Sequence, residues 1–133
     1  MKNDSILIVD PEELMRKWLA DALSDNGFQQ VSSVASGTEV LDFLDKARPA
    51  LVITELVIPG MDGLTVLKKI KEKYPDTTVI IVTGHGTPES ATNALRLGAY
   101  DYISKPFLIT ELVLVIKKAL MRSQNREQKS QGA

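Results

Sequence analysis

The sequence predicts an α/β domain in which a doubly wound, five-stranded parallel sheet is covered by five helices. Five short apolar runs alternate with five segments of helical periodicity along 133 residues, and that alternation is the sequence form of a parallel sheet with helices on both faces. The strand segments also read as continuous apolar runs, Ile6 to Val9 being the clearest, as strands buried on both sides require. A chain of this length is one domain and buries roughly two thirds of the surface its unfolded form exposes. It needs no disulfide or metal staple.

Each element has a local cause. After the first strand, Leu14, Trp18, Leu19, Ala22 and Leu23 recur at helical spacing, and Asn26-Gly27 closes that helix with residues that tolerate positive φ. A second strand over Phe28 to Val34 is interrupted by Gln29, Gln30, Ser32 and Ser33, which suits a sheet edge. Ser36 and Glu39 have capping-box spacing ahead of Val40, Leu41, Phe43 and Leu44, and Arg48-Pro49 ends the helix they begin. Leu51 to Thr54 is the third strand. Leu64, Val66, Leu67 and Ile70 mark the third helix, with Lys68, Lys69, Lys71 and Lys73 as its solvated face. Tyr74-Pro75-Asp76 breaks the chain before the fourth strand, Thr78 to Thr83. Thr87-Pro88 supplies an N-cap and a proline at the first helical position, Ala91, Ala94, Leu95 and Leu97 form the buried stripe, and Gly98 ends the helix. Tyr100 to Ile103 is a short fifth strand. Thr110-Glu111 starts the last helix, with Leu112, Val115, Ile116, Ala119 and Leu120 facing inward. From Ser123 to Ala133 the composition is polar, and a frayed helix end and loose tail are expected.

Composition narrows the function. Sixteen Lys and Arg against seventeen Asp and Glu leave a net charge of −1, which gives no electrostatic case for nucleic acid or an anionic membrane. The lysines of the third helix lack the aromatic or arginine pattern of a nucleic-acid surface. With no cysteine and one histidine there is neither a thiol nucleophile nor a serine, histidine and aspartate set. No run approaches the length of a membrane span and no signal peptide is read, so a cytoplasmic location is expected.

Four polar residues carry the chemistry. Asp10, Glu55, Thr83 and Lys105 each fall at the C-terminal end of a different strand, the edge where open parallel sheets bind ligands. Singly, each has a plainer role: a helix cap, a strand end, a solvated lysine. Their joint placement points to a site.

The runs that deliver them are Ile6-Leu7-Ile8-Val9-Asp10, Leu51-Val52-Ile53-Thr54-Glu55 followed by Leu56 to Gly63, Val79-Ile80-Ile81-Val82-Thr83, and Tyr102-Ile103-Ser104-Lys105-Pro106-Phe107. In this order they resemble the receiver domain of two-component response regulators over about residues 5 to 122. The resemblance implies a flavodoxin-like strand order 2-1-3-4-5. It also implies roles: Asp10 as the first of two acids that hold Mg²⁺, Glu55 at the phosphoacceptor position, and Val57 as the backbone carbonyl that completes the metal site. Thr83 is similar to the hydroxyl residue that follows the phosphoryl group, Lys105 to the lysine that pairs with it, and Tyr102 to the aromatic whose rotation couples to that hydroxyl. Lys105-Pro106 matches a peptide bond usually cis in the family, and Val57 and His85 match positions that tune access to the acceptor. The chemistry behind these roles is charge neutralisation, since an aspartyl phosphate needs a divalent ion, an ammonium and a hydroxyl donor around it.

Two positions depart from the pattern. Pro11 stands where the second metal-binding acid is expected, and Glu55 replaces the acceptor aspartate. A unit charge at roughly 4 Å is worth about 4 kcal/mol at an effective dielectric near 20, so Mg²⁺ binding is expected to be weak. Glu12 and Glu13 read as solvated acids at a helix start rather than substitutes. Glutamate moves the reacting oxygen by about a bond length, and a misplacement near 1 Å costs on the order of a hundredfold in rate.

The expected function is therefore a non-enzymatic receiver module, read as a pseudo-receiver in which Glu55 is a fixed or phosphomimetic charge. The alternative is a conventional Mg²⁺-dependent phosphoacceptor served by a histidine kinase. A nucleotide- or flavin-binding enzyme fits less well, because Asp10-Pro11-Glu12-Glu13 would repel phosphate where such proteins place a cradle. Residues 1–122 are read as the receiver domain and 123–133 as a polar tail or linker remnant. Expected partners are a histidine kinase or an output protein, with a homodimer through the fourth helix, fifth strand and fifth helix.

Overall fold

The computed structural model describes the backbone of residues 4–132 and the side chains of residues 4–123. The elements run β1 (Ile6–Val9), α1 (Glu13–Asp25), β2 (Val31–Val34), α2 (Gly37–Lys46), β3 (Leu51–Thr54), α3 (Gly63–Lys73), β4 (Thr78–Thr83), α4 (Pro88–Arg96), β5 (Asp101–Ser104) and α5 (Ile109–Gly132). The sheet order is β2-β1-β3-β4-β5 with every pair parallel, as the sequence leads one to expect.

Alternation along each strand divides the core into two. Ile6, Ile8, Leu51, Ile53, Ile80 and Val82 point to the face covered by α1 and α5 through Leu19, Leu23, Leu112 and Ile116. Leu7, Val9, Val52, Val79 and Ile81 point to the other face, beneath Val40 and Leu44 of α2, Val66, Leu67 and Ile70 of α3, and Ala94 of α4. Burial on both sides is why these strands read as unbroken apolar runs. β2 lies at one edge, and its Ser32 and Ser33 are exposed.

The predicted caps form. Ser36 accepts from the Glu39 backbone N–H while Glu39 reaches back to the Ser36 N–H, and Thr87 and Ser90 make the equivalent pair at α4. Gly27 (φ 94°) and Gly98 (φ 106°) supply the left-handed residues that end α1 and α4.

Some local expectations change. β2 begins at Val31, because Gln29 and Gln30 are exposed and Phe28 is buried against the α1 side of the sheet instead of extending the strand. β5 is shifted one residue onward, to Asp101–Ser104. Leu95 belongs to the expected buried stripe of α4 yet is 52% exposed, and Leu14 on α1 is 83% exposed. Only one narrow stripe of each helix meets the sheet, and Ala94 alone of α4 is fully covered. α5 starts at Ile109 and continues as helix to Gly132, through the segment expected to be loose. Gln, Arg, Glu and Lys are good helix formers, so a packed helix propagates through a polar stretch. Side chains from residue 124 onward, and Ala133 altogether, lie outside the described residues.

Candidate functional site

Register gathers the four polar residues. Val9 aligns with Thr54 and Thr54 with Ile81, so Asp10 and Glu55 leave adjacent strands side by side. Strand order reverses between β1 and β3, making this the topological switch point of the sheet. Thr83 ends β4 two residues beyond Ile81, and Lys105 follows β5, where its backbone N–H donates to Thr83 O at 2.8 Å.

Glu55 is 4% exposed and every lone-pair direction it offers is used. Its Oε1 accepts from the Leu56 N–H at 2.8 Å and from the Thr83 hydroxyl. Its Oε2 accepts from Lys105 Nζ at 2.9 Å and from the Gly84 N–H at 3.3 Å. The same ammonium lies 2.7 Å from Asp10 Oδ2, so Lys105 bridges the two carboxylates. Asp10 Oδ1 accepts from the Glu12 N–H at 2.9 Å, and Thr83 Oγ1 accepts from the His85 N–H at 3.0 Å. Among the described residues no buried side-chain nitrogen or oxygen lacks a partner.

Burial pushes the Glu55 carboxyl upward, but the Thr83 hydroxyl, the Lys105 ammonium and the Leu56 N–H together outweigh it and hold the carboxyl below its ordinary value. Burial likewise works to lower Lys105, and the hydrogen bonds and charges of Asp10 and Glu55 reverse the sign, leaving it above the ordinary lysine value. Glu55 and Lys105 therefore form an ionised pair at neutral pH.

Other expected site residues stand apart from this knot. Val57 is 58% exposed and His85 is exposed, its contribution to the site being its backbone N–H. Pro11, Glu12 and Glu13 are exposed, and no group of three or more His, Cys, Asp or Glu side chains able to hold a metal occurs among the described residues. The Lys105–Pro106 peptide is cis. Tyr102 is half-buried, its hydroxyl 2.9 Å from Ser90 Oγ on α4. Sequence reasoning did not single out Arg16, whose guanidinium donates to the Asp10 carbonyl at 2.6 Å from the first turn of α1, nor Ser90. Arg16 lies six residues past Asp10 in no recognisable motif; Ser90 shows only the capping-box spacing to Thr87.

Residues 6–117 match the response regulator receiver domain family. The chain belongs to this family. An NtrX-like response regulator of Rickettsia felis is 43% identical over 121 residues, covering 90% of this chain and 25% of that protein. The DNA-binding transcriptional regulator NtrC of Klebsiella pneumoniae is 39% identical over 121 residues, covering 91% of this chain and 26% of its own length. The crystal structure of NtrX from Brucella abortus superposes with a TM-score of 0.88 at 35% identity, over 97% of this chain and 29% of that one. This receiver spans about a quarter of the length of the curated relatives it matches.

Receiver domains bind Mg²⁺ for phosphorylation, and the donor set here can be tested against that ion. A hard divalent cation needs oxygen ligands free to turn toward it. Asp10 and Glu55 are instead turned toward a shared ammonium, and Pro11 offers no carboxylate. The residues do not fit a tight Mg²⁺ site.

Proposed function

We propose that this receiver module of two-component signalling works as a pseudo-receiver, with Glu55 as a fixed charge in place of a transferred phosphoryl group. The observation that carries the reading is the closed knot itself. Glu55 already engages the Thr83 hydroxyl, the Lys105 ammonium and the Gly84 N–H, the groups that would otherwise receive phosphoryl oxygens. A carboxylate with no free oxygen is a poor nucleophile, and freeing it breaks charge-assisted hydrogen bonds. The imitation is partial, because a phosphoryl group brings about 1.5 to 2 negative charges and three acceptor oxygens.

The weak Mg²⁺ affinity follows from the same contacts, and the module acts by protein contact with a histidine kinase or an output protein. The NtrX-like and NtrC relatives, several times longer than this chain, make an attached output region the natural recipient of the signal. The test is incubation with acetyl phosphate and Mg²⁺ followed by intact mass. An unchanged mass supports the pseudo-receiver; stoichiometric gain of one phosphoryl group, lost on mutation of Glu55, establishes the conventional phosphoacceptor instead.

A further inference from the structure

Ser90 is the centre of a second polar knot at the N-terminus of α4, beyond the acid pocket. Its Oγ lies 2.9 Å from the Thr87 N–H, 2.9 Å from the Thr87 carbonyl and 2.9 Å from the Tyr102 hydroxyl. A serine hydroxyl has one proton and two lone pairs. The amide must donate and the carbonyl must accept, so the Ser90 proton goes to Thr87 O and one lone pair takes the Thr87 N–H. The remaining lone pair faces Tyr102, which is therefore the donor. The Ser90 hydroxyl is saturated, and Tyr102 is held by its own proton.

The neighbouring residue explains how Tyr102 reaches this position. Gly86 has no side chain, and a Cβ there would collide with the Tyr102 hydroxyl, lie 2.9 Å from Tyr102 Cζ and 3.1 Å from Thr83 Cγ2. Gly86 thus leaves the clearance through which the ring lies against the β4–α4 loop, directly beside the residue whose hydroxyl bonds Glu55. Glu55 is hydrogen-bonded to Thr83, Thr83 and Tyr102 both border the clearance at Gly86, and Tyr102 is hydrogen-bonded to Ser90 in the first turn of α4.

We propose that Ser90 is a positioning residue: a hydroxyl latch that fixes Tyr102 against the β4–α4 loop and ties it to the α4 cap, so that ring and helix start shift as one piece. Gly86 is the clearance the latch requires. This holds whether Glu55 is a fixed charge or an acceptor, so the acetyl phosphate experiment does not bear on it.

The latch is read by O-acetylation of tyrosine hydroxyls with N-acetylimidazole, located by peptide mass, alongside amide hydrogen exchange at Thr87 and at residues 89–91. Ser90→Ala is expected to speed modification of Tyr102 about fivefold, the scale set by one net hydrogen bond. Thr87→Ala removes the reciprocal cap but keeps the Ser90 hydroxyl, and is expected to leave Tyr102 at its original rate. Tyr102→Phe keeps the packing and removes only the donor; it is expected to raise exchange at the Thr87 amide several-fold while amides of β1 and β3 are unchanged. Equal acceleration of Tyr102 modification in Ser90→Ala and Thr87→Ala would show a cap effect without a latch and overturn the proposal. So would Thr87 exchange that is indifferent to Tyr102→Phe.

Discussion

Lys105 Nζ lies 2.9 Å from Glu55 Oε2, the distance of a charge-assisted hydrogen bond rather than of two charges that merely share a cleft. Both partners are largely covered, the lysine side chain 22% and the glutamate side chain 4% exposed, so water screens the pair little. Glu55 reaches the ammonium through Oε2 while its Oε1 meets Thr83. Reactivity and stability of the pocket both follow from that reach.

Shortening the arm alone is not expected to create an efficient phosphoacceptor. Glu55→Asp withdraws the oxygen from Lys105 but leaves Pro11 where a second metal-binding carboxylate is needed. The double variant Pro11→Asp with Glu55→Asp restores both, and it is expected to take up phosphoryl groups from acetyl phosphate with Mg²⁺ much faster than either parent or single variant, by intact mass against time. Equal uptake by the unmodified chain and the double variant would remove the argument from Pro11.

Replacing Lys105 with Met leaves Asp10 and Glu55 facing each other without their shared counter-charge. Loss of one partner from a buried ion pair costs several kcal/mol, and the partial exposure of Lys105 brings the expectation to about 2–4 kcal/mol by urea unfolding. The same variant frees two carboxylates for a cation. Mg²⁺ at millimolar concentration is therefore expected to raise the Tm of Lys105→Met clearly more than that of the parent chain, whose NMR shifts near Asp10 and Glu55 should appear only at high millimolar metal. Micromolar binding by the parent in calorimetry would mean that Glu12 or Glu13 is recruited.

The pH dependence has a definite sign. Glu55 is held below its ordinary value of 4.5, so its stabilising contribution is complete above that value and is lost as pH falls through the lower, folded-state value. The stability gap between the parent and Glu55→Gln should be constant at neutral pH and close on the acid side. Lys105, raised above its ordinary 10.5, contributes fully below that value, and its share fades only as pH rises through the higher folded-state value. Urea unfolding at a series of pH values checks this. A gap that widens in acid would contradict the ionised pocket.

Much of this was legible in the chain because it depends on local rules. Strand ends, the capping pair Ser36–Glu39, the Thr87 cap and the glycines at 27 and 98 need only nearby sequence, and the convergence of Asp10, Glu55, Thr83 and Lys105 needs only the βα alternation. What escaped depends on side-chain reach across the fold. That Lys105 serves Asp10, 95 residues away, as well as Glu55 is decided by where β5 places its stem. That Leu14 and Leu95 stay exposed is decided by how narrow a helix stripe the sheet covers. The helical course of α5 past Ser123 followed from propensity, whereas composition had suggested disorder.

The face formed by α4, β5 and α5 is the expected surface for self-association or an output partner, and the Glu55–Thr83 hydrogen bond, beside the Gly86 clearance that Tyr102 also borders, is the route by which the pocket is expected to bias it. If the fixed charge on Glu55 imitates a phosphoryl group, removing it should loosen association on that face. Glu55→Gln keeps the shape and the Thr83 contact while abolishing the charge that holds Lys105. Its dimer or partner complex is then expected to dissociate at several-fold higher concentration than the parent's, measured by sedimentation velocity across a matched dilution series. Parent and variant that associate alike would leave a binding scaffold indifferent to its pocket, and the phosphomimetic part of the proposal would have to be given up.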